Sequence, residues 1–143
     1  MHVERTFTVS RPVEEVFDYL ADFTHTDEWD PGTVETKRTS GDGGLGTTYS
    51  NVSEFVGRRV ELTYETVTFD RPSKVQFRGV NKATTATDSM SFTPTPEGGT
   101  SIHYRADFEF GPVLRVLAPV FVKNKLDKIA DETVDQIRRT LES

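Results

Sequence analysis

Residues 113–141 read VLRVLAPVFVKNKLDKIADETVDQIRRTL. From Leu126 onward Leu126, Ile129, Ala130, Thr133, Val134, Ile137 and Leu141 recur at offsets of three and four. That spacing draws one apolar stripe along a helix of period 3.6. Asp127, Lys128, Asp131, Glu132, Asp135, Gln136, Arg138 and Arg139 take the opposite face, where water can solvate them. The first part of the stretch differs. From Val113 to Val122 only Arg115 is polar, so a helix there is apolar nearly all round and needs cover on more than one side. Pro119 falls inside it. An interior proline removes a backbone hydrogen bond and clashes with the preceding turn, which predicts a kink or break near Ala118.

The residues upstream supply the surface on which such a helix lies. Val3, Arg5, Phe7 and Val9 alternate with Glu4, Thr6 and Thr8, the pattern of a first strand. Ser10 offers a helix cap, Pro12 suits an early helical position, and Glu14 and Glu15 suit the positive end of the helix dipole. Val13, Val16, Phe17 and Leu20 form the buried face of that short helix. Asp22 to Asp30, holding Trp29, reads as a second short helical piece, closed by Pro31-Gly32. Strand-like segments follow at Thr33–Thr39, Thr47–Val56, Arg58–Phe69, Lys74–Asn81, Thr84–Thr93 and Thr100–Phe110, with turn residues between them. Strands in a run, kept apart from helices, predict an α+β fold with the long helix on one face of an antiparallel sheet. A sheet of about seven strands twists and curls. One helix cannot fill its concave face across the whole width, so a cavity is expected between the two.

Composition narrows the function. The 143 residues are expected to form one domain, 1–143, large enough to bury roughly 70% of the surface of the unfolded chain. The net charge of -6 argues against nucleic acid and against anionic membrane surfaces. Without Cys, neither a disulfide frame nor thiolate chemistry is available. No apolar run approaches the ~18 residues of a membrane span, and the start of the chain lacks a charged-then-apolar leader, so a cytoplasmic location is expected. His2, His25 and His103 show no metal-ligand spacing, so no metal or cofactor is expected; His103, between Ile102 and Tyr104, should face solvent. Gly41-Asp42-Gly43-Gly44-Leu45-Gly46 spells G-x-G-x-x-G, but a threonine-rich strand follows where phosphate binding needs a helix. An inter-strand loop is the better reading.

The chain also resembles a known family. Ser10-Arg11-Pro12-Val13-Glu14-Glu15-Val16-Phe17-Asp18-Tyr19-Leu20, Asp22, Trp29-Asp30-Pro31, Gly44-Leu45-Gly46-Thr47, the proline-bearing apolar start of the last helix and Ile137 to Glu142 resemble the START-like (SRPBCC) superfamily, in its bacterial polyketide-cyclase/dehydrase-like subgroup. The resemblance covers essentially the whole chain. It implies the helix-grip fold: a curved seven-stranded antiparallel sheet wrapped around the long C-terminal helix, with two short helices between strands 1 and 2. It also implies an apolar cavity for lipids, polyketides or other hydrophobic small molecules.

Strand parity selects the candidate lining. Successive strand side chains point to opposite faces. On the face expected to meet the helix lie Ile102, Tyr104, Ala106, Phe108 and Phe110 of the last strand, and Ala86, Asp88, Met90 and Phe92 of the one before. Val75, Phe77 and Gly79, then Val60, Leu62 and Tyr64, share that face. The segment 47–56 is ambiguous, with Tyr49, Asn51, Ser53 and Phe55 the preferred inward set. Inward tyrosines can simply be core, each hydroxyl bonded to a nearby backbone group. They can equally be the few placed polar groups of a mostly apolar pocket. Asp88 is hardest to assign to core, because a buried carboxylate needs a partner, a proton or a task.

Three functions are therefore weighed. The first is binding, with transport as its extension, of a hydrophobic small molecule such as a lipid or polyketide. Trp29 near the mouth, Tyr49, Asn51, Tyr64, Phe77, Asp88, Met90, Tyr104, Phe108, Leu117 and Phe121 would line its site. The second is a polyketide aromatase/cyclase or dehydrase using Asp88 with Tyr64 or Tyr104 as acid and base. Arg78 and Arg105 fall on the outward parity, so no inward cation is available to hold an oxyanion. The third is a protein-interaction module covering the apolar surface near Val120, in a chain that is a monomer or a homodimer.

Overall fold

The computed structural model describes residues 1–55, 57–110 and 119–142, the side chains of 119–122 excepted. Strand β1 (His2–Val9) leads through helix α1 (Val13–Leu20), a 3-10 turn (Phe23–His25) and helix α2 (Thr26–Trp29) into a series of strands. These are β2 (Thr33–Ser40), β3 (Thr48–Phe55), β4 (Arg58–Asp70), β5 (Lys74–Val80), β6 (Thr84–Pro94) and β7 (Thr100–Phe110). Helix α3 (Pro119–Glu142) follows.

All seven strands form one antiparallel sheet in the order β1-β7-β6-β5-β4-β3-β2. The run from β2 to β7 is a meander, and β1 joins its far edge by pairing with β7, Val3 opposite Ala106 and Val9 opposite Thr100. Between β1 and β2 the chain has to travel from one edge of the sheet to the other. Helix α1, the 3-10 turn and α2 make that passage. This is the α+β, helix-grip architecture the sequence predicts. One element differs in detail. The segment Asp22–Asp30 divides in two, because Asp22 Oδ1 accepts hydrogen bonds from Thr24 N (3.1 Å) and Thr24 Oγ1 (2.6 Å) and tightens the chain into the 3-10 turn before α2 begins. The kink expected near Ala118 lies outside the described residues.

The concave face is covered in two places. Helix α1 buries Val13, Val16, Phe17 and Leu20, and the Phe17 ring meets Phe69 and Phe92 edge-on at 5.2 and 5.6 Å. Helix α3 buries Leu126, Ala130, Thr133, Ile137 and Leu141, the stripe read from the sequence. Its one polar member is satisfied within the helix, Thr133 Oγ1 donating to the Ile129 carbonyl at 2.8 Å. Charged contacts along β1 set its course. Arg5 Nε donates to Asp131 (2.8 Å), Lys123 Nζ to the His2 carbonyl (2.6 Å), and Glu142 accepts from Ser10 Oγ (2.7 Å). Such solvated pairs contribute little to stability and more to orientation.

Candidate functional site

Strand register builds the site. Tyr49, Tyr64, Gly79, Ala86 and Phe108 stand opposite one another in a single row across β3 to β7. The adjacent inward row is Thr66, Phe77, Asp88, Ala106 and Val3. Two small residues, Gly79 and Ala86, therefore sit side by side in the middle of the face. A Cβ on Gly79 would fall 2.5 Å from Tyr64 Cζ, so the tyrosine ring lies directly against the β5 backbone. Ala86 leaves room beside it. Above them, between the sheet and α3, is a cavity of about 120 Å³. Leu62, Tyr64, Ala86, Asp88, Tyr104 and Phe108 form its sheet side, and Leu126 and Ile129 its α3 side. Asp30 and Gly32 border it from the α2–β2 turn, and Ser53, Glu54, Phe55, Val60, Asn81, Thr84 and Phe110 complete the surround.

Its polar groups are held from both sides. Tyr104 is the diagonal neighbour of Asp88 on the same face, since Ala106 is the residue directly opposite. Tyr104 Oη donates to Asp88 Oδ1 at 3.1 Å. Asp30 caps the turn out of α2, accepting from Gly32 N at 3.0 Å and from Thr33 Oγ1 at 2.9 Å. Burial pushes Asp88 up to about 7; the Asp30 charge adds to the rise, and the Tyr104 hydrogen bond opposes it. Burial also raises Asp30, against the opposing Gly32 and Thr33 hydrogen bonds. Both tyrosines stand well above the ordinary phenol range, first through burial and then through the charges of Asp88 and Asp30. Among the described residues no Lys, Arg or His borders the cavity to offset these carboxylates. Arg78 is exposed, and Arg105 points away to a bidentate pair with Asp107 (2.9 Å for each bond). Near neutral pH Asp88 divides between its two forms, so it can give or take a proton. The phenols stay protonated.

The sequence-predicted residues fall into three groups. Tyr64, Asp88, Tyr104 and Phe108 come together around the cavity. Trp29, Tyr49, Phe77, Met90 and Asn51 do not border it. The first four are packed core, at 1% exposure or less, and Phe23 sits among Tyr49, Tyr64 and Phe77 with ring centroids 5.6, 4.5 and 4.5 Å away. Trp29, expected near a mouth, is 1% exposed, and its Nε1 has no hydrogen-bond partner among the described residues. The inward phase preferred for β3 is the one present, with Tyr49 and Asn51 buried. Asn51 is satisfied locally, donating to Thr36 Oγ1 (2.9 Å) and accepting from Ser53 Oγ (2.7 Å). Leu117, the Phe121 side chain and the apolar run proposed as an interaction surface lie outside the described residues. Sequence reasoning missed Asp30 altogether. It lies in a turn, where neither period 2 nor period 3.6 assigns a face. Ala86 was legible, since a small residue at an inward position leaves space. The G-x-G-x-x-G stretch joins β2 to β3 as a loop, Gly43 N donating to Thr47 Oγ1 at 2.8 Å.

A family model described as "Polyketide cyclase / dehydrase and lipid transport" matches residues 1–142. No curated protein sequence matches the chain. Among solved structures, a protein of Thermus thermophilus superposes with a TM-score of 0.83 at 15% identity, covering 99% of this chain and 97% of its own. A START superfamily protein from Mycobacterium smegmatis gives 0.82 at 15% identity, covering 98% and 96%. The Zhui aromatase/cyclase from a Streptomyces species gives 0.73 at 16% identity, covering 100% and 96%. At such identities the likeness is one of fold.

Proposed function

The chain belongs to the polyketide cyclase/dehydrase and lipid transport family, and we propose that it binds a hydrophobic small molecule in the cavity between the sheet and α3. The observation that carries this reading is the cavity itself: apolar walls from β4, β7 and α3 with a few convergent polar groups, the composition of a ligand site. Its size sets the scale. At about 120 Å³ it suits roughly one aromatic ring or a short chain segment, since a cavity of ~150 Å³ holds a benzene.

A second reading, an aromatase/cyclase or dehydrase, is favoured by Asp88, poised near neutrality 3.1 Å from the Tyr104 hydroxyl. The name of the Streptomyces relative points the same way. Such chemistry develops negative charge on a substrate oxygen, and a positive or multiple-donor pocket normally stabilises it. Among the described residues the cavity offers hydroxyls and the Asn81 amide for that task, beside the carboxyl groups of Asp30, Glu54 and Asp88, and no cation. Binding is therefore the preferred reading.

Protein stripped of bound lipids should gain several degrees of melting temperature with a suitable member of a panel of lipids, aromatic polyketides and single-ring compounds. Ala86→Phe, which fills the cavity, should abolish that gain while the variant stays folded. No shift with any compound would overturn the reading.

A further inference from the structure

The hydrogen-bonding capacity of the cavity is lopsided. Among the described residues, the acceptors facing it include the second carboxyl oxygen of Asp88, which no side chain engages, and the oxygen of Tyr104, whose proton is already given to Asp88. Asp30 adds lone pairs beyond those used by Gly32 and Thr33. Donors are scarce. Asn81 uses one of its two amide N–H groups on the Glu61 carbonyl and Ser53 spends its hydroxyl on Asn51. That leaves the second Asn81 N–H and the hydroxyls of Thr84 and Tyr64. The Tyr64 residue is 8% exposed and lines the cavity, and its hydroxyl makes no hydrogen bond to the described residues. Each of these two hydroxyls accepts as readily as it donates.

The charge is equally one-sided. Three carboxyl groups, Asp30, Glu54 and Asp88, border the space. Glu54 is exposed and paired with Arg59 (3.6 Å), and among the described residues no cationic side chain borders the cavity itself to offset Asp30 and Asp88. A buried carboxylate is destabilised until an opposite charge or a donor pairs with it. A neutral ligand with a donor relieves that deficit in part and leaves the charge unbalanced, and an anionic one deepens it. The walls include three aromatic rings, Tyr64, Tyr104 and Phe108, and the faces of such rings attract positive charge.

We propose that the cavity selects a small apolar amine, bound in its ammonium form to Asp88, with its hydrocarbon body against Phe108 and Leu126. The donors of an ammonium match the unused acceptors, and its charge offsets the carboxylates. The inference rests on the binding reading above and specifies the class of ligand.

Benzylamine, benzyl alcohol and benzoate share one ring and differ in the charge and hydrogen-bonding capacity of the substituent. Their affinities for the unmodified protein are measured by titration calorimetry at pH 8 and low salt, where Asp88 is ionised and the amine protonated. Benzylamine should bind at least tenfold more tightly than benzyl alcohol, and benzoate should not bind. Asp88→Asn should weaken benzylamine at least tenfold, and by a larger factor than it weakens benzyl alcohol. The comparison of the three ligands stands whether or not that variant folds. Equal binding of the alcohol and the amine, or tighter binding of the alcohol, overturns the amine preference and leaves the binding reading intact. So does failure of all three ligands when a compound of the broader panel binds. Failure of the three and of the whole panel together removes the binding reading itself.

Discussion

The two ends of the concave face are made by the same strands and filled by opposite rules. At one end β5, β6 and β7 turn in Val75, Met90 with Phe92, and Ile102, none more than 4% exposed, with Phe17 and Leu20 of α1 also buried in that core. At the other end these strands offer Gly79, then Ala86 with Asp88, then Tyr104 with Phe108, and α3 closes over them without filling the space. Packing forgone in a void of about 120 Å³ corresponds to about 3 kcal/mol, before the burial of two carboxyl groups is counted. A chain that packs one end so densely has the residues to pack the other. The disadvantage is local, and local departures from good packing gather at functional sites.

The contrast is sharpest in stability. Phe17→Ala, at the closed end, should cost about 3–5 kcal/mol in urea denaturation. Phe108→Ala removes a side chain that already borders empty space, and should cost less than about 2 kcal/mol by the same measurement. Equal losses would mean that the two ends are packed alike.

The next largest effect is one of pH. Asp88 stands near 7 in the folded protein, against an ordinary carboxyl value of 3.8. A group whose folded pKa is raised holds its proton more tightly in the folded state, so stability falls as pH rises between the two values. Below about 4 both states are protonated and the burden is absent. Above about 7 it is complete, at roughly 2–4 kcal/mol. Asp30, also raised, acts with the same sign. The groups facing Asp88 are Tyr104, Tyr64 and Asp30, with Asp107 also adding to the rise. Urea unfolding of Asp88→Asn should show a flatter profile, with the variant more stable than the parent at pH 8 by about 2 kcal/mol and nearly equal at pH 4.5. A parallel pair of profiles would show that Asp88 is paired in the folded protein.

The closed end and the cavity were not equally legible. Period 3.6 located α1 and the buried stripe of α3, and period 2 put Tyr64, Asp88, Tyr104 and Phe108 on the inward face. Each sits where its strand runs without a bulge, so parity carries through. Parity says nothing about position along the strand. Phe77 and Met90 share the face of Asp88, yet they fall in the packed core, because where α1 and the 3-10 turn cross the sheet is a tertiary fact. Trp29 shows the same limit from a helix. Asp30 was invisible for a different reason: a turn residue has no period, and only the closure of α2 onto β2 aims its carboxyl at the cavity.

The smallest effect tests why the cavity exists at all. Gly79 has an ordinary backbone conformation, so its role is steric, and the three atoms nearest an added methyl all belong to the Tyr64 ring, at 2.5, 2.6 and 2.7 Å. The body of an aromatic ring cannot yield by a few tenths of an ångström. In Gly79→Ala the whole ring has to lift from β5, and the open direction is the cavity. Stability should fall by about 1–3 kcal/mol, the usual range for overpacking. Binding of any cavity ligand should weaken in parallel, because the displaced ring occupies its place. Tyr64→Leu, offering a smaller and more flexible side chain to the same position, should relieve the clash. The double variant should then be more stable than the sum of the two single losses predicts, by about 1 kcal/mol. Additive losses would mean that Tyr64 finds another resting place, and that the small residues of the central row are not what keeps the cavity open.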